Sequence, residues 1–442
     1  MGKKKFSLGF WNYAYLDIIG DAPVKDWIEC GMNLCLSPTF RPGIDKPEDM
    51  IALLDECREK GVQLILADPR CGWTGASTDP EAYKIRFLEM LEDFGRHPAV
   101  YGYYVGDEPS AKYMADAMAA IRIQKELSPE KIPFINFLSY WDGVEERYLG
   151  GMDFDEWIDD FIKKTGLSQI SYDRYSQMNP PDAVESGIDT YFKSLNRMMA
   201  AAKRNGIPLW VTNLSVGHLN FRCPNEDDFR WQLNTSVAGG AKCVWWFFFY
   251  MRLCRVNYRL APIDEHIERT ETYTWLSRVQ RSFQQQFGAL FAQLEHDETL
   301  HCGHAYGGYP LLERKCHPLI NEVICDHNLP SMVSFFHLED GTKYMAIVNT
   351  SQTKDGRFHC YFNPQVKEIY RVCYTGQDIA APSSFHQGSK YHDIKMDWGG
   401  VEVNCAKNDV VNGYKVDENG RIHNASWLAP GQMDVFRLMI EE

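Results

Sequence analysis

The sequence predicts a parallel (β/α)8 barrel followed by a smaller antiparallel β-sandwich. Two observations carry this fold class. A unit of amphipathic helix, glycine cap, short apolar strand and polar loop recurs until eight strands have been counted. From about residue 330 the pattern changes to short β runs separated by Gly, Asp and Asn turns.

The glycine caps are explicit in "ECGMNLCLSPTF", "EKGVQLILADPR", "KTGLSQISYDRYS", "RNGIPLWVTNLSVG" and "AGGAKCVWWFFFY". Glycine there permits the left-handed turn that ends a helix before a strand. Strands are expected near 6–15, 31–39, 61–69, 99–107, 132–141, 167–175, 207–216 and 241–250, with starts 25 to 40 residues apart. That spacing suits a βα unit of roughly thirty residues. Helical patterns such as "KPEDMIALLDECREKG" and "DTYFKSLNRMMAAAKRNG" fall between them. An open doubly wound sheet is the competing arrangement, but no Gly-rich phosphate fingerprint follows the first strand. The last barrel helix is expected over 271–295, so the barrel domain is read as 1–295 and the sandwich domain as 296–442. Residues 296–330 would connect them with one or two strands. "SMVSFFHLEDGTKYMAIVNTS", "GRFHCYFNP", "KEIYRVCYTG" and "WLAPGQMDVFRLMIEE" supply the sandwich.

A formal charge of -14 argues against nucleic acid or an anionic membrane as partner, because both require basic surface. No run approaches the ~18–20 apolar residues of a membrane span. The N-terminus has a basic start without a clean apolar segment, so the protein is expected in the cytoplasm, or secreted or periplasmic where a leader has been removed. Thirteen cysteines with no C-x-x-C pair suggest reduced, mostly buried thiols. His301, His304, His317 and His327 lie near Cys302, Cys316 and Cys325, but their spacings match no standard zinc pattern. No metal and no other cofactor is expected. The sequence leaves the oligomeric state open.

In a (β/α)8 barrel the active site lies at the C-terminal ends of the strands. There the sequence places Trp11, Tyr13 and Tyr15; Ser37 and Thr39; Asp68, Arg70 and Trp73; and the adjacent Asp107 and Glu108. The later strands deliver Asn136, Ser139, Tyr140 and Trp141; Tyr172, Asp173 and Tyr175; Trp210, Asn213 and His218; and Trp245, Trp246, Tyr250 and Arg252. Aromatic residues make up 13% of the chain, and flat aromatic faces stack on sugar rings as readily as they fill cores. The expected partner is therefore a carbohydrate substrate.

Carboxylates walled by aromatics suit cleavage of a glycosidic bond. One carboxylic acid protonates the leaving oxygen, and a second carboxylate attacks the anomeric carbon or activates water. If Asp107 and Glu108 both face the lumen, their proximity raises one pKa, as a general acid near neutral pH requires. Glu108 has the longer reach and is read as the acid. Asp107 either shares that work, holds a cation such as Arg70, or caps the helix after Pro109.

"GYYVGDEP" together with "FRWQLNTSVAGGAKCVWWFFFY" resembles the glycoside hydrolase-like TIM barrels related to clan A, in the style of β-galactosidase catalytic domains. The resemblance spans roughly residues 6–295 and extends to the "LAPGQMDVFRL" ending. It implies an acid/base Glu at the end of strand four, matching Glu108, and a β-sandwich after the barrel. Two departures stand out. Such barrels carry Asn immediately before the acid, where this chain has Asp107. Their nucleophilic Glu ends strand seven, where "IPLWVTNLSVGHLNF" has none. A second carboxylate must therefore come from elsewhere, with Asp173 first, then Asp68, Glu226 or Asp227, and Asp264 or Glu265. The alternative for Asp173 is an ion pair with Arg174 or a helix cap. The leading expectation is a glycoside hydrolase; the alternatives are a carbohydrate-binding barrel that lacks catalysis, or a barrel lyase or isomerase.

Overall fold

The structure, a computed structural model, describes residues 5–252, 257–372, 378–380, 395–398, 401–404, 415–416 and 418–441. The described residues divide between two compact units. One comprises Ser7–Asn225 and Ala241–Gln280; the other comprises residues up to Phe6, Glu226–Gly240 and everything from Arg281 onward.

The first unit is built on eight parallel strands: β1 (Ser7–Phe10), β2 (Leu34–Thr39), β3 (Gln63–Ala67), β4 (Val100–Asp107), β5 (Ile132–Asn136), β6 (Ile170–Asp173), β7 (Leu209–Leu214) and β8 (Cys243–Phe247). They pair in two runs, β1-β8-β7-β6 and β2-β3-β4-β5. Two seams join the runs into a ring. Asn33 N–H donates to the Leu8 carbonyl at 2.8 Å and Thr39 N–H to that of Ala14 at 2.8 Å, while Phe137 N–H donates to the Ser171 carbonyl at 2.7 Å. Each strand begins where a helix has just ended. The helices Pro47–Lys60, Phe154–Thr165 and Val184–Asn205 stop at Gly61, Gly166 and Gly206, all left-handed at φ 63 to 73°.

Aromatic rings fill the lumen. Trp11, Phe134, Trp210 and Trp245 meet at its centre, with Phe134 and Trp245 centroids 4.8 Å apart. Leu34, Leu36 and Ile65 close the layer from β2 and β3. Gly9 lies where this packing is tightest, since a Cβ there would sit 1.7 Å from the Leu34 carbonyl oxygen. The lumen is thus a packed core on which the strand ends rest.

The second unit contains a six-stranded antiparallel sheet and a four-stranded one. Strands Glu295–Cys302, Ser331–His337, Lys343–Asn349, Val366–Val372 and Met433–Ile440 belong to the first; Ile320–Cys325, Gly356–Phe362 and Ile422–Leu428 belong to the second. Val333, Phe335, Met345 and Phe436 from the larger sheet pack with Phe358, Phe362 and Leu428 from the smaller. Part of the expected strand "KEIYRVCYTG", residues 373–376, lies outside the described residues.

Chain order and compact unit diverge at one element. The helix Glu226–Ala238 runs between β7 and β8 in sequence, yet it belongs to the sandwich unit. The Trp231 indole donates to the Thr350 carbonyl at 2.8 Å and the Asn234 amide to that of Gly431 at 2.8 Å. The unit also begins at Arg281, ahead of the boundary at 295 expected from strand patterning. The helix expected over 271–295 is α-helical over Glu271–Phe283 and continues as a wider turn to Gly288.

Gly9→Ala is expected to lose ~3 kcal/mol or more of stability, because its new methyl group would meet backbone that cannot swing aside. Thermal unfolding checks this; a variant melting at the wild-type temperature would contradict the tight β1–β2 seam.

Candidate active site

β4 delivers its two carboxyls through a strained turn. Gly106 stands at φ 155°, and a Cβ there would lie 2.3 Å from the Trp73 ring, so the strand end passes flush against that indole. Glu108 follows at φ 48° in the left-handed region, immediately before Pro109. A non-glycine residue pays steric energy there, and a residue preceding proline ordinarily stays extended. The conformation is held by Glu108 N–H donating to the Asn136 carbonyl at 2.8 Å. Strained backbone of this kind concentrates at functional sites.

The neighbouring strand ends complete the arrangement. Asp107 is in register with Asn136 of β5. The Asn136 amide Nδ2 donates to Asp107 Oδ1 at 3.1 Å and to Asp173 Oδ1, on β6, at 2.8 Å. Its Oδ1 accepts from Ser171 Oγ at 3.0 Å, which points the NH2 end toward the two acids. One amide therefore bridges two carboxyls on either side of it, and Tyr175 adds a further hydrogen bond to Asp173.

A cavity of about 240 Å3 opens over this network, bounded by Glu108, Asp173, Arg174, Tyr175, Leu138, Ser139, Trp141, Tyr148 and Phe221. Glu108 borders this space and Asp107 lies beside it; both are exposed to solvent on one side, with protein packed against them on others. They are accessible and poorly solvated at once. Loss of solvation is the largest influence on each. It pushes Asp107 up to about 7, helped by the charge of Asp173 and opposed by the Asn136 hydrogen bond. It pushes Glu108 up to about 8, helped by Asp173 and Asp107 and opposed by Arg174. Burial also raises Asp173, against hydrogen bonds from Tyr175 and Asn136 and the charge of Arg174. The three titrate as one system, so the protons belong to the set. Burial and the carboxyl of Asp107 likewise raise the Tyr13 phenol, which stays a proton donor. The Arg252 guanidinium lies 3.7 Å over the Tyr13 ring.

Of the residues predicted from the strand ends, the structure brings Glu108, Ser139, Trp141, Asp173 and Tyr175 to the cavity, with Asp107 and Tyr13 in the network beside them. Tyr175 is set by stacking on Phe247 at 5.6 Å.

The remaining predicted positions are corrected by where their side chains lie. Trp11 is 2% exposed and belongs to the lumen core. Trp246 is fully buried on the helix side of β8, its indole donating to Gln280 Oε1 at 3.0 Å, and Asn213 is paired with it in register and equally buried. Tyr250 is buried with its hydroxyl accepting from the Trp27 indole at 2.8 Å. Tyr172 is buried on the face of β6 opposite Asp173, as strand alternation requires. Asp68 and Arg70 pair at 2.8 Å, and Arg70 reaches Asp93 at 2.6 Å, which also removes Arg70 as the partner of Asp107. Trp73 stacks on Tyr113, 5.9 Å away. Tyr140 packs against Phe154 beneath Arg197, whose guanidinium lies 4.0 Å over its ring. His218 is buried among Tyr175, Phe221, Phe247 and Tyr258.

The other carboxylates weighed for the second role are committed elsewhere. Asp227 pairs with Arg230 at 2.5 Å and Glu226 lies 3.7 Å from the same arginine. Asp264 accepts the backbone N–H groups of His266 and Glu268 in an exposed turn. Glu265 is exposed in that turn. The residues that strand-end reasoning missed at the cavity are Arg174, Tyr148 and Phe221. Arg174 was visible as a neighbour of Asp173. Tyr148 ends a five-residue helix, Val144–Tyr148, and Phe221 sits in a loop between elements, both too short for periodicity to carry a signal.

Among the described residues ten cysteines are free thiols, eight of them buried, with Cys223 half-buried and Cys316 exposed. Among the described residues no helix is long and apolar enough to cross a membrane.

No protein-family model and no curated protein matches the sequence. Solved structures do match. A protein described as a glycoside hydrolase aligns over 100% of this chain and 96% of its own, with a TM-score of 0.54 at 11% identity. A family 5 glycoside hydrolase from Bacteroides vulgatus aligns over 98% and 89%, with a TM-score of 0.52 at 11% identity. A β-galactosidase from the psychrophilic Marinomonas ef1 has a TM-score of 0.47 at 12% identity, and the match spans 59% of that chain. At such identities the likeness speaks for architecture, and function must be argued from the site. The chain has a (β/α)8 barrel with a β-sandwich following it in sequence, the fold it shares with these glycoside hydrolases.

Proposed function

We propose that the protein is a glycoside hydrolase in which Glu108 donates the proton and Asp173 supplies the second carboxylate. The observation that carries this reading is that both carboxyls line one aromatic-walled cavity at the C-terminal ends of the barrel strands. Glu108 protonates the glycosidic oxygen as its bond to the anomeric carbon breaks. Asp173 either attacks that carbon or takes a proton from the water that does so. Asp107 takes no direct step; it is bound to Asn136, and negative charge held by Asp107 or Asp173 favours the protonated form of Glu108. Trp141, Tyr148 and Phe221 supply faces and edges against which a sugar ring packs.

A second reading is a carbohydrate-binding barrel without turnover. It is favoured by the end of β7, where Thr212, Asn213 and Leu214 stand and no carboxylate does.

Hydrolysis of a panel of aryl glycosides and oligosaccharides separates the two. Wild type is expected to turn over at least one substrate, with Glu108→Gln slower by ~10²–10⁴-fold, the usual contribution of a general acid. Asp173→Asn should lose at least as much. Sugar binding by wild type with turnover of nothing would leave the binding reading standing alone.

The rate should also fall as pH rises through the raised Glu108 value, near 8, because the acid then loses its proton. Glu108→Gln should abolish that limb.

The same shift predicts a stability effect of definite sign. Glu108 keeps its proton in the fold but loses it in the unfolded chain above about 4.5, so its contribution is complete below 4.5 and is lost as pH rises through about 8. Glu108→Gln, which cannot ionise, should therefore gain melting temperature over wild type between pH 5 and 8.5, with the gap widening upward. Parallel melting curves for the two proteins across that range would count against a poorly solvated Glu108.

A further inference from the structure

We infer that the sugar taken by this cavity is anionic, bearing a carboxylate or a sulfate, and that Arg174 is the residue that binds that group. The inference rests on the reading of the cavity as a sugar site. Arg174 is the only lysine, arginine or histidine among the residues that bound the space. It makes no ion pair with any described residue, and its Nε is buried without a hydrogen-bond partner. Several other barrel arginines are ion-paired: Arg41 with Asp45, Arg70 with Asp68 and Asp93, Arg197 with Asp155, Arg269 with Asp26. A guanidinium cannot shed its charge by losing a proton, and a half-buried one whose neighbouring carboxyls act on it only through charge keeps hydrogen-bonding capacity that a ligand can fill.

The carboxyls across the space do not already fill that capacity. Glu108 and Asp173 act on Arg174 through charge alone, without a hydrogen bond. Asp107, Glu108 and Asp173 titrate as one set whose burial opposes full ionisation, so the set carries fewer than three charges, and the phenols of Tyr13 and Tyr175 are held neutral. Arg252, stacked on Tyr13, adds a second cation on the far side of the network. Near neutral pH the cavity is therefore less acidic than its composition suggests. A planar carboxylate or a sulfate matches the fork of a guanidinium with two parallel charge-assisted hydrogen bonds, whereas a neutral hydroxyl leaves the charge uncompensated.

The test compares matched pairs of ligands on the full chain. Nitrophenyl uronides and sulfated nitrophenyl sugars are set against their neutral parents for kcat/KM. Methyl uronides, sulfated methyl glycosides and neutral methyl glycosides are titrated calorimetrically into Glu108→Gln. Anionic members are expected to be preferred by ~10-fold or more, as a new charge-assisted pair predicts. Arg174→Gln should erase that ratio, and Arg174→Lys, which keeps the charge without the fork, should restore part of it. The uronide and sulfate arms show which anion is used. Equal or better handling of the neutral parents, or a preference that survives in a folded Arg174→Gln, would overturn the inference while leaving the hydrolase reading intact. Failure of every glycoside, charged or neutral, to bind or turn over would overturn the sugar-site reading and this inference with it.

Discussion

Three carboxyl groups stand together at the strand ends, linked through one amide, and the organisation of the barrel top follows from keeping them there. Ionised together they would repel one another across a medium that screens weakly. The structure meets this with a neutral amide. Asn136 donates to Asp107 and Asp173 and is itself oriented by Ser171. An amide binds a carboxyl in either protonation state, so it holds the geometry without forcing full ionisation. A cation in its place would have driven both acids to their charged forms.

The rest of the barrel makes that arrangement possible. The aromatic layer of Trp11, Phe134, Trp210 and Trp245 closes the lumen beneath the strand ends. Strand ends resting on rings lose solvent on one side while the cavity admits it on the other. Glu108 is aimed by a backbone conformation that is unfavourable for its residue type, and a hydrogen bond from the adjacent strand maintains it. The site is in this sense stored strain and stored desolvation, both supported by the packing around them.

The resemblance to clan A barrels places an amide beside the acid on strand four. This chain has a carboxyl there, Asp107, and the amide arrives from strand five as Asn136. The exchange moves the neutral donor between two acids instead of beside one. It also fits with the absence of a carboxylate at the end of β7, since Asp173 of β6 is the acid that borders the cavity with Glu108.

Much of the architecture was legible in the sequence because its determinants are local. Glycine caps, apolar strands of fixed polarity pattern and helices of 3.6-residue period are written in neighbouring residues, and the eight strands fall where that grammar puts them. Glu108, Asp107 and Asp173 were legible because a charge at the end of an apolar strand is a local anomaly. What the tertiary structure decided is everything that depends on which face of a strand points inward and on what meets across the lumen. Trp246, Tyr250, Asn213 and Tyr172 lie at strand ends but face the helices or the core. Arg70 is claimed by acids of its own neighbourhood. Asn136 becomes the hub only because β4, β5 and β6 stand side by side, and Tyr148, Phe221 and Arg174 reach the cavity from a short helix, a loop and the residue after β6, brought together by long-range closure. The helix Glu226–Ala238 joins the sandwich unit for the same reason: its partners, Thr350 and Gly431, are more than a hundred residues away. Local pattern determines which elements form; the closing of the sheet determines which of their side chains share a space.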